Sequence, residues 1–370
     1  MKYYLIAGEA SGDLHGSNLM KALKAKDANA EFRFWGGDLM QNLGGTLVKH
    51  YKDLAFMGFL EVAKNISTIL KNIRFCKEDI LKYKPDVLIL IDYPGFNLRI
   101  AEFAKMKNLK VIYYISPQLW AWKEGRVEKI KNFVDEMLVI LPFEKEFYLK
   151  HSVHSHFVGH PLLDAISGLT PIDIESFKIE NNLNNKEIIA LLPGSRKQEV
   201  EKMLTLMTSV KSQFQNYQFV IAGAPSLGKK FYAHFVEKDI SFVSNKTYDL
   251  LRCSSAALVT SGTATLETAL LDVPEIVCYK TSTVSYEIGK RVVKNLKYIS
   301  LVNLIMDKEI VTELIQNQLT TKNLVHHLKE ILSGSKREKM MLDFELLREK
   351  LGGKGASENA AEIIIETIRK

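Results

Sequence analysis

YYLIAGEASGD, residues 3–13, runs from an unbroken apolar segment into a turn of small residues and then into polar residues of helical period. A short apolar run carrying aromatic and β-branched residues reads as a strand buried on both faces, which is the signature of a parallel sheet. Gly8 and Gly12 let the backbone turn tightly, and Ser11 or Asp13 can cap the helix that continues over residues 17–26. The fold class follows from whether this unit recurs.

It does. In the first half, apolar runs at residues 3–7, 32–35, 87–91, 111–115 and 137–140 alternate with helical stretches at 17–26, 63–83 and 98–107. A polar stretch over 163–186, holding Pro171 and four asparagines, interrupts the pattern. Strand-like runs then return at 188–192, 218–222, 240–243, 256–260 and 275–279, again with helical segments between them. The reading is α/β, two Rossmann-like doubly wound domains facing each other across a cleft. Their expected limits are 1–165 and 166–345, with 346–370 as a C-terminal helix packing across the junction.

Composition agrees with this. At 370 residues the chain is long enough for two cores, and 46% hydrophobic with 25% charged residues places it among ordinary globular proteins. Three cysteines, Cys76, Cys253 and Cys278, share no ligand spacing, so neither a disulfide framework nor a zinc site is expected. The chain opens directly on a strand, so no export signal is read, and no run approaches the ~18 apolar residues of a membrane span. A net charge of +7 suits phosphorylated substrates or an anionic membrane surface. Its basic residues are dispersed and no nucleic-acid motif appears, so nucleic acid is not an expected partner.

In parallel sheets, ligands gather at the carboxyl ends of strands, so the loops there carry the candidate chemistry. The first is Gly8, Ser11, Gly12 and Asp13; it lacks the spacing of a dinucleotide fingerprint. Asp92 follows the strand at 87–91 as a candidate general base, whereas Asp86 begins that strand and reads as structural. Trp120 and Trp122 stand in a loop suited to a sugar or acyl surface, or to packing. In the second half, Gly194, Ser195 and Arg196 form a plausible diphosphate cradle with a fixed cation. Ser261, Gly262, Thr263, Thr265 and Glu267 end another strand and open a helix, with hydroxyls for phosphate and a carboxylate for a ribose diol. His160, ahead of Pro161, reads as structural. His151, His154, His156, His326 and His327 have no evident acidic partners, so no metal site is expected.

The ordered strings AGEASGD, WGGDLM, LAFMGFLEV, the loop at 117–122, VGHPLLD, LLPGSR and SGTATLE resemble the lipid-A-disaccharide synthase family over nearly the whole chain. The resemblance implies a GT-B glycosyltransferase fold that holds UDP mainly in its C-terminal domain. It also implies an inverting hexosyl transfer from UDP-2,3-diacylglucosamine to 2,3-diacylglucosamine 1-phosphate, forming a β-1,6-linked disaccharide 1-phosphate and UDP. By position it puts Arg196, Glu267 and Asn303 on the nucleotide or donor side. It makes both Asp92 and Asp86 acidic candidates on the acceptor side. Two departures stand out. Gly95 occupies a place that is acidic in many members, and Val302 replaces the usual proline before Asn303.

Such a transfer needs no cofactor or metal, because Arg196 and oriented backbone amides can stabilise the leaving diphosphate. Its acylated substrates imply a cytoplasmic enzyme peripheral to an anionic inner-membrane surface. Phe56, Met57, Phe59 and Leu60 are the expected acyl or membrane contacts, backed by Lys64 and Lys71; a core segment is the other reading of that stretch. A second copy of the chain is an open option as partner. Two other functions use the same fold: a UDP-N-acetylglucosamine 2-epimerase, and a non-catalytic sugar-nucleotide-binding protein.

Overall fold

A computed structural model describes residues 1–54, 66–121, 124–194, 197–224, 227–233, 240–282, 286–287 and 297–369. The chain divides into two compact units. One comprises Met1–Ser167 with Leu351–Lys370, and the other Gly168–Lys350.

The first unit is built on a parallel seven-stranded sheet of order β3-β2-β1-β4-β5-β6-β7. Its strands are β1 (Lys2–Ala7), β2 (Glu31–Gly36), β3 (Thr46–His50), β4 (Val87–Ile91), β5 (Lys110–Tyr114), β6 (Glu136–Val139) and β7 (Ser155–Phe157). β4 is buried at every residue and β1 at all but its first, as central strands covered on both faces must be. The second unit repeats the pattern with six parallel strands, ordered β10-β9-β8-β11-β12-β13. These are β8 (Glu187–Leu192), β9 (Tyr217–Gly223), β10 (Ser241–Ser244), β11 (Ser254–Thr260), β12 (Glu275–Tyr279) and β13 (Thr312–Ile315). All ten strands expected from the sequence are present. The three that were not expected, β3, β7 and β13, are all edge strands. An edge strand has one neighbour and a wetter face, so its sequence carries less of the apolar signal.

In each sheet the order reverses once, between β1 and β4 and between β8 and β11. At such a switch point the loops leaving two adjacent strands go to opposite faces and open a crevice at the carboxyl edge. The glycine-containing loops picked out by sequence stand at these two places.

The chain's last helix, Ala356–Arg369, returns to the first unit and packs on helix Ala10–Lys26, helix Pro161–Ser167 and β5. Asp164 fastens it: one carboxylate oxygen accepts from the Gly355 N–H at 2.7 Å and the other from the Ser357 N–H at 2.9 Å. The His160 N–H donates to Leu351 O, and the Asn359 amide donates to Val158 O. Asp164 thus caps a helix nearly two hundred residues away in sequence. Replacing it by alanine leaves two helix-terminal donors unpaired, and Asp164→Ala should lower the unfolding free energy by about 1–2 kcal/mol. Urea denaturation monitored by circular dichroism measures this, and an unchanged midpoint would contradict the assigned cap.

Candidate functional site

The turn after β4 is backbone-strained. Asp92 and Tyr93 both lie in the left-handed region, at φ +43° and +50°, although neither is glycine. Such residues cost on the order of 1–3 kcal/mol each and persist only where the surroundings over-determine them. Here the surroundings are Asn97 and Tyr113. The fully buried Asn97 amide donates to Asp92 O at 2.7 Å and lies within bonding distance of Ile91 O at 3.2 Å, while the Tyr113 hydroxyl donates to Asp92 O at 2.6 Å. At about 1 kcal/mol apiece, these bonds offset much of the strain. Pro94 then starts helix Pro94–Met106 with a preset φ.

The turn also explains Gly8. A Cβ there would sit 2.4 Å from the Tyr93 ring, so only glycine lets that ring lie against the loop after β1. This brings Glu9, which follows β1, beside Asp92, which follows β4. Burial first, and the Glu9 charge second, push the Asp92 carboxyl up to about 7. A carboxylate poised there is suited to take a proton at neutral pH.

Other acids of the first unit are placed differently. Asp13 is buried, and its two oxygens accept from the Gly37, Leu39 and Met40 N–H groups at 2.8–3.1 Å. Expected as a ligand contact or as a cap for its own helix, it instead caps the neighbouring helix Asp38–Asn42. Asp86 lies at the opposite edge of the sheet from Asp92, accepting the Lys2 N–H at 2.7 Å. That is the structural position read from its strand register, and it separates Asp86 from the switch-point loops. Ser11 is exposed in the first turn of helix Ala10–Lys26, whose first N–H groups no side chain caps. Gly12 packs against Ala7, where a Cβ would stand 3.1 Å away. Trp120 packs its ring edge-on against Phe143, with centroids 4.9 Å apart; Trp122 is outside the described residues. His160 is buried and accepts the Leu162 N–H.

In the second unit, Gly194 has φ +109°, and a Cβ there would meet Glu199 Oε2 at 2.6 Å. No other residue fits this turn at the end of β8 without displacing Glu199. Ser195 and Arg196 lie outside the described residues, as do Phe56, Met57, Phe59, Leu60 and Lys64. At the end of β11 the Ser261 hydroxyl donates to Ile299 O, and the buried Thr265 hydroxyl donates to Gly262 O. Gly262 and Thr263 are exposed, and among the described residues a Cβ on Gly262 would meet nothing and helix Thr263–Leu270 has no side-chain cap. This leaves an open helix terminus of the kind that receives anions. Glu267 accepts from the Tyr248 hydroxyl at 3.0 Å, and burial raises its carboxyl above the ordinary range.

Asn303, expected on the donor side, is wholly internal. Its amide nitrogen donates to Val311 O and Glu313, and its oxygen accepts the Ile310 and Val311 N–H groups. With every donor and acceptor engaged, it holds the approach to β13 rather than presenting an amide to a ligand. The histidines also need correction, since acidic partners do exist: His156 lies 3.0 Å from Glu136, His151 2.9 Å from Glu124, and His327 2.9 Å from Glu330.

Sequence reasoning missed Glu9, Asn97 and Tyr113. Asn97 carried a signal: an asparagine between Phe96 and Leu98 at the start of a buried helix face is unfavourable unless its amide is used locally.

A match to the family described as lipid-A-disaccharide synthetase covers residues 3–367. A lipid-A-disaccharide synthase of Syntrophus aciditrophicus is 38% identical over 375 residues, covering 99% of this chain and 97% of the relative. Among solved structures, a UDP-GlcNAc 2-epimerase from Neisseria meningitidis bound to UDP-GlcNAc has a TM-score of 0.65 at 14% identity, covering all of both chains. A glycosyltransferase of kitacinnamycin has a TM-score of 0.67 at 11% identity, covering 99% of each. At these identities the structural likeness shows the fold alone, which is GT-B.

The Asp92 environment makes a prediction independent of any substrate. A carbon-13 NMR titration should find its carboxyl near 7. In Glu9→Gln the value should fall, since one cause of the rise is removed, while burial keeps it above the ordinary carboxylate range. A value in the ordinary range for the native chain would refute the assigned environment.

Proposed function

The chain belongs to the lipid-A-disaccharide synthase family, and from that premise we propose an inverting transfer from UDP-2,3-diacylglucosamine to 2,3-diacylglucosamine 1-phosphate. The observation that carries the mechanism is the raised, partly buried carboxyl of Asp92 on a strained turn at a switch point. In this reading Asp92 takes the proton of the acceptor 6-hydroxyl as that oxygen attacks the anomeric carbon opposite the leaving UDP. Asn97 and Tyr113 act through Asp92 by holding its backbone. Gly95 carries no acid and has open space around it among the described residues, and this leaves the proton to Asp92.

UDP leaves with charge developing on its diphosphate. The reading gives that charge to Arg196 and to the backbone amides around Gly194 and Gly262, whose stabilisation grows as the bond breaks. Glu267 faces the nucleotide sugar's hydroxyls. Asp86 and Asn303 serve the fold and not the chemistry.

Acylated substrates call for a lipid surface, and helix Ile66–Tyr83 has a face suited to one. Leu70, Phe75 and Leu81 are exposed along it, interleaved with exposed Lys71 and Lys82 and with Arg74, which pairs with exposed Glu78 at 2.9 Å. Apolar side chains that enter the interface, ringed by cations that meet anionic headgroups, make a peripheral anchor. The face follows directly on the segment holding Phe56, Met57, Phe59 and Leu60, which the proposal includes. Among the described residues no helix is long and apolar enough to cross a membrane.

Incubating the protein with the diacyl donor and acceptor should yield the tetraacyl disaccharide 1-phosphate by mass spectrometry. Epimerised donor without disaccharide, or UDP binding without turnover, would overturn the proposal. Asp92→Asn should lower kcat by about 10²–10⁴ while sparing donor binding. In the native enzyme kcat/KM should fall as pH drops below about 7, because protonation removes the base. Full activity in Asp92→Asn would reject the assigned base.

For the membrane face, Leu70→Ser with Phe75→Ser should reduce sedimentation with vesicles containing anionic phosphatidylglycerol about tenfold, without loss of thermal stability. Equal sedimentation of variant and native protein would exclude that face.

A further inference from the structure

The edge of the first sheet brings together three side chains that the proposed transfer does not use. Glu136 begins β6, His156 lies on β7, and His154 stands immediately before β7. The parallel register pairs Met137 with Ser155 and Leu138 with His156. Because alternate residues of a strand share a face and Leu138 pairs with His156, Glu136 lies on the face of His156, and His154 approaches both from just before the strand. One ligand atom from each lies within 4.8 Å of the others. His156 Nε2 is 3.0 Å from a Glu136 oxygen, and the two imidazoles stand nearly perpendicular with centroids 4.7 Å apart. His154 is exposed and the other two are half-buried, so the group is open to solvent on a fixed backbone.

We propose that Glu136, His154 and His156 form a binding site for a divalent transition cation of the zinc class. Two imidazoles and one carboxylate are a zinc donor set, with the fourth position left to water. Ligand atoms around tetrahedral zinc lie about 3.3 Å apart, given metal–ligand bonds of about 2.0–2.1 Å. The β6–β7 ladder holds Glu136 and His156 at neighbouring positions, and the exposed His154 closes the remaining distance on metal binding. Magnesium and calcium prefer all-oxygen shells and are poorly served by two imidazoles.

A second group, His326, His327 and Glu330, has similar chemistry but a different occupant. The Lys336 ammonium lies 2.7 Å from Glu330 and 3.4 Å from His327 Nδ1, so a cation already sits among its donors. At the β6–β7 edge, the structure gives Glu136 only His156 as an ion-pair partner among the described residues. A bound ion would bridge β7 to β6 and hold the edge strand in place.

Isothermal titration of the tag-free full-length chain with zinc chloride tests this. The native protein should bind one zinc with a midpoint unaffected by millimolar magnesium, and zinc should raise its melting temperature. His154→Ala with His156→Ala should weaken binding at least about tenfold and abolish the thermal shift. Glu136→Gln, which keeps the side chain's size, should weaken binding in the same direction. His326→Ala with His327→Ala should leave it unchanged. No zinc binding by the native chain would overturn the proposal. So would unaltered binding in the first double variant, or loss of binding only in the His326/His327 variant.

Discussion

The reversal of strand order between β1 and β4 is the constraint on which the chemistry of the first unit rests. It sends the two following loops to opposite faces of the sheet and leaves their starts side by side at its carboxyl edge. Glu9 and Asp92 meet there because Gly8 has no side chain and the Tyr93 ring can fill the space. The burial that follows, and after it the Glu9 charge, raise the proton affinity of Asp92. Without Asn97 and Tyr113 beneath, two consecutive left-handed residues would relax and carry the carboxyl away. A buried amide of no direct chemical use thereby becomes part of the machinery, which is the usual relation between a site and its support.

The second unit repeats the device with different side chains. Gly194 leaves β8 in a conformation that Glu199 closes to any larger residue, and helix Thr263–Leu270 begins at the end of β11 with its terminus uncapped. At the equivalent places the first unit sets Glu9 beside Asp92 and the second leaves the start of helix Thr263–Leu270 uncapped. One presents clustered carboxylates, suited to accepting a proton. The other presents backbone donors, suited to receiving a diphosphate.

Buried acids in this chain show how position decides meaning. Asp13 and Asp164 each accept backbone N–H groups of a helix start other than their own, so both are joints of the fold. Glu275 is fully buried with neither oxygen hydrogen-bonded among the described residues, and burial first, then the Glu313 charge, raise its carboxyl well above the ordinary range. Asp92, alone of these, stands at a switch-point loop with its carboxyl partly open to solvent. Carboxylate count would not have distinguished them.

Most of the architecture was legible in the sequence because its physical signal is local. Central strands of a parallel sheet must be apolar throughout, and ten of thirteen strands announced themselves in that way; β3, β7 and β13 did not, because an edge strand is wetted on one side. The glycine loops were legible for the same reason, since a strand followed by small residues and a helix is a pattern of neighbours. What lay beyond the sequence were relations between distant residues. Asp13 and Asn303 looked like ligand contacts until the fold supplied their partners at Gly37 and Glu313. Asn97 and Tyr113 look like ordinary helix and strand residues until they converge on Asp92 O. The histidines at 154 and 156 lacked an acid until sheet register brought β6 alongside. Local propensity determines which segments become strands and helices, but a side chain's hydrogen-bond partners and its proton affinity are set by whichever parts of the chain tertiary packing brings within about 3 Å of it.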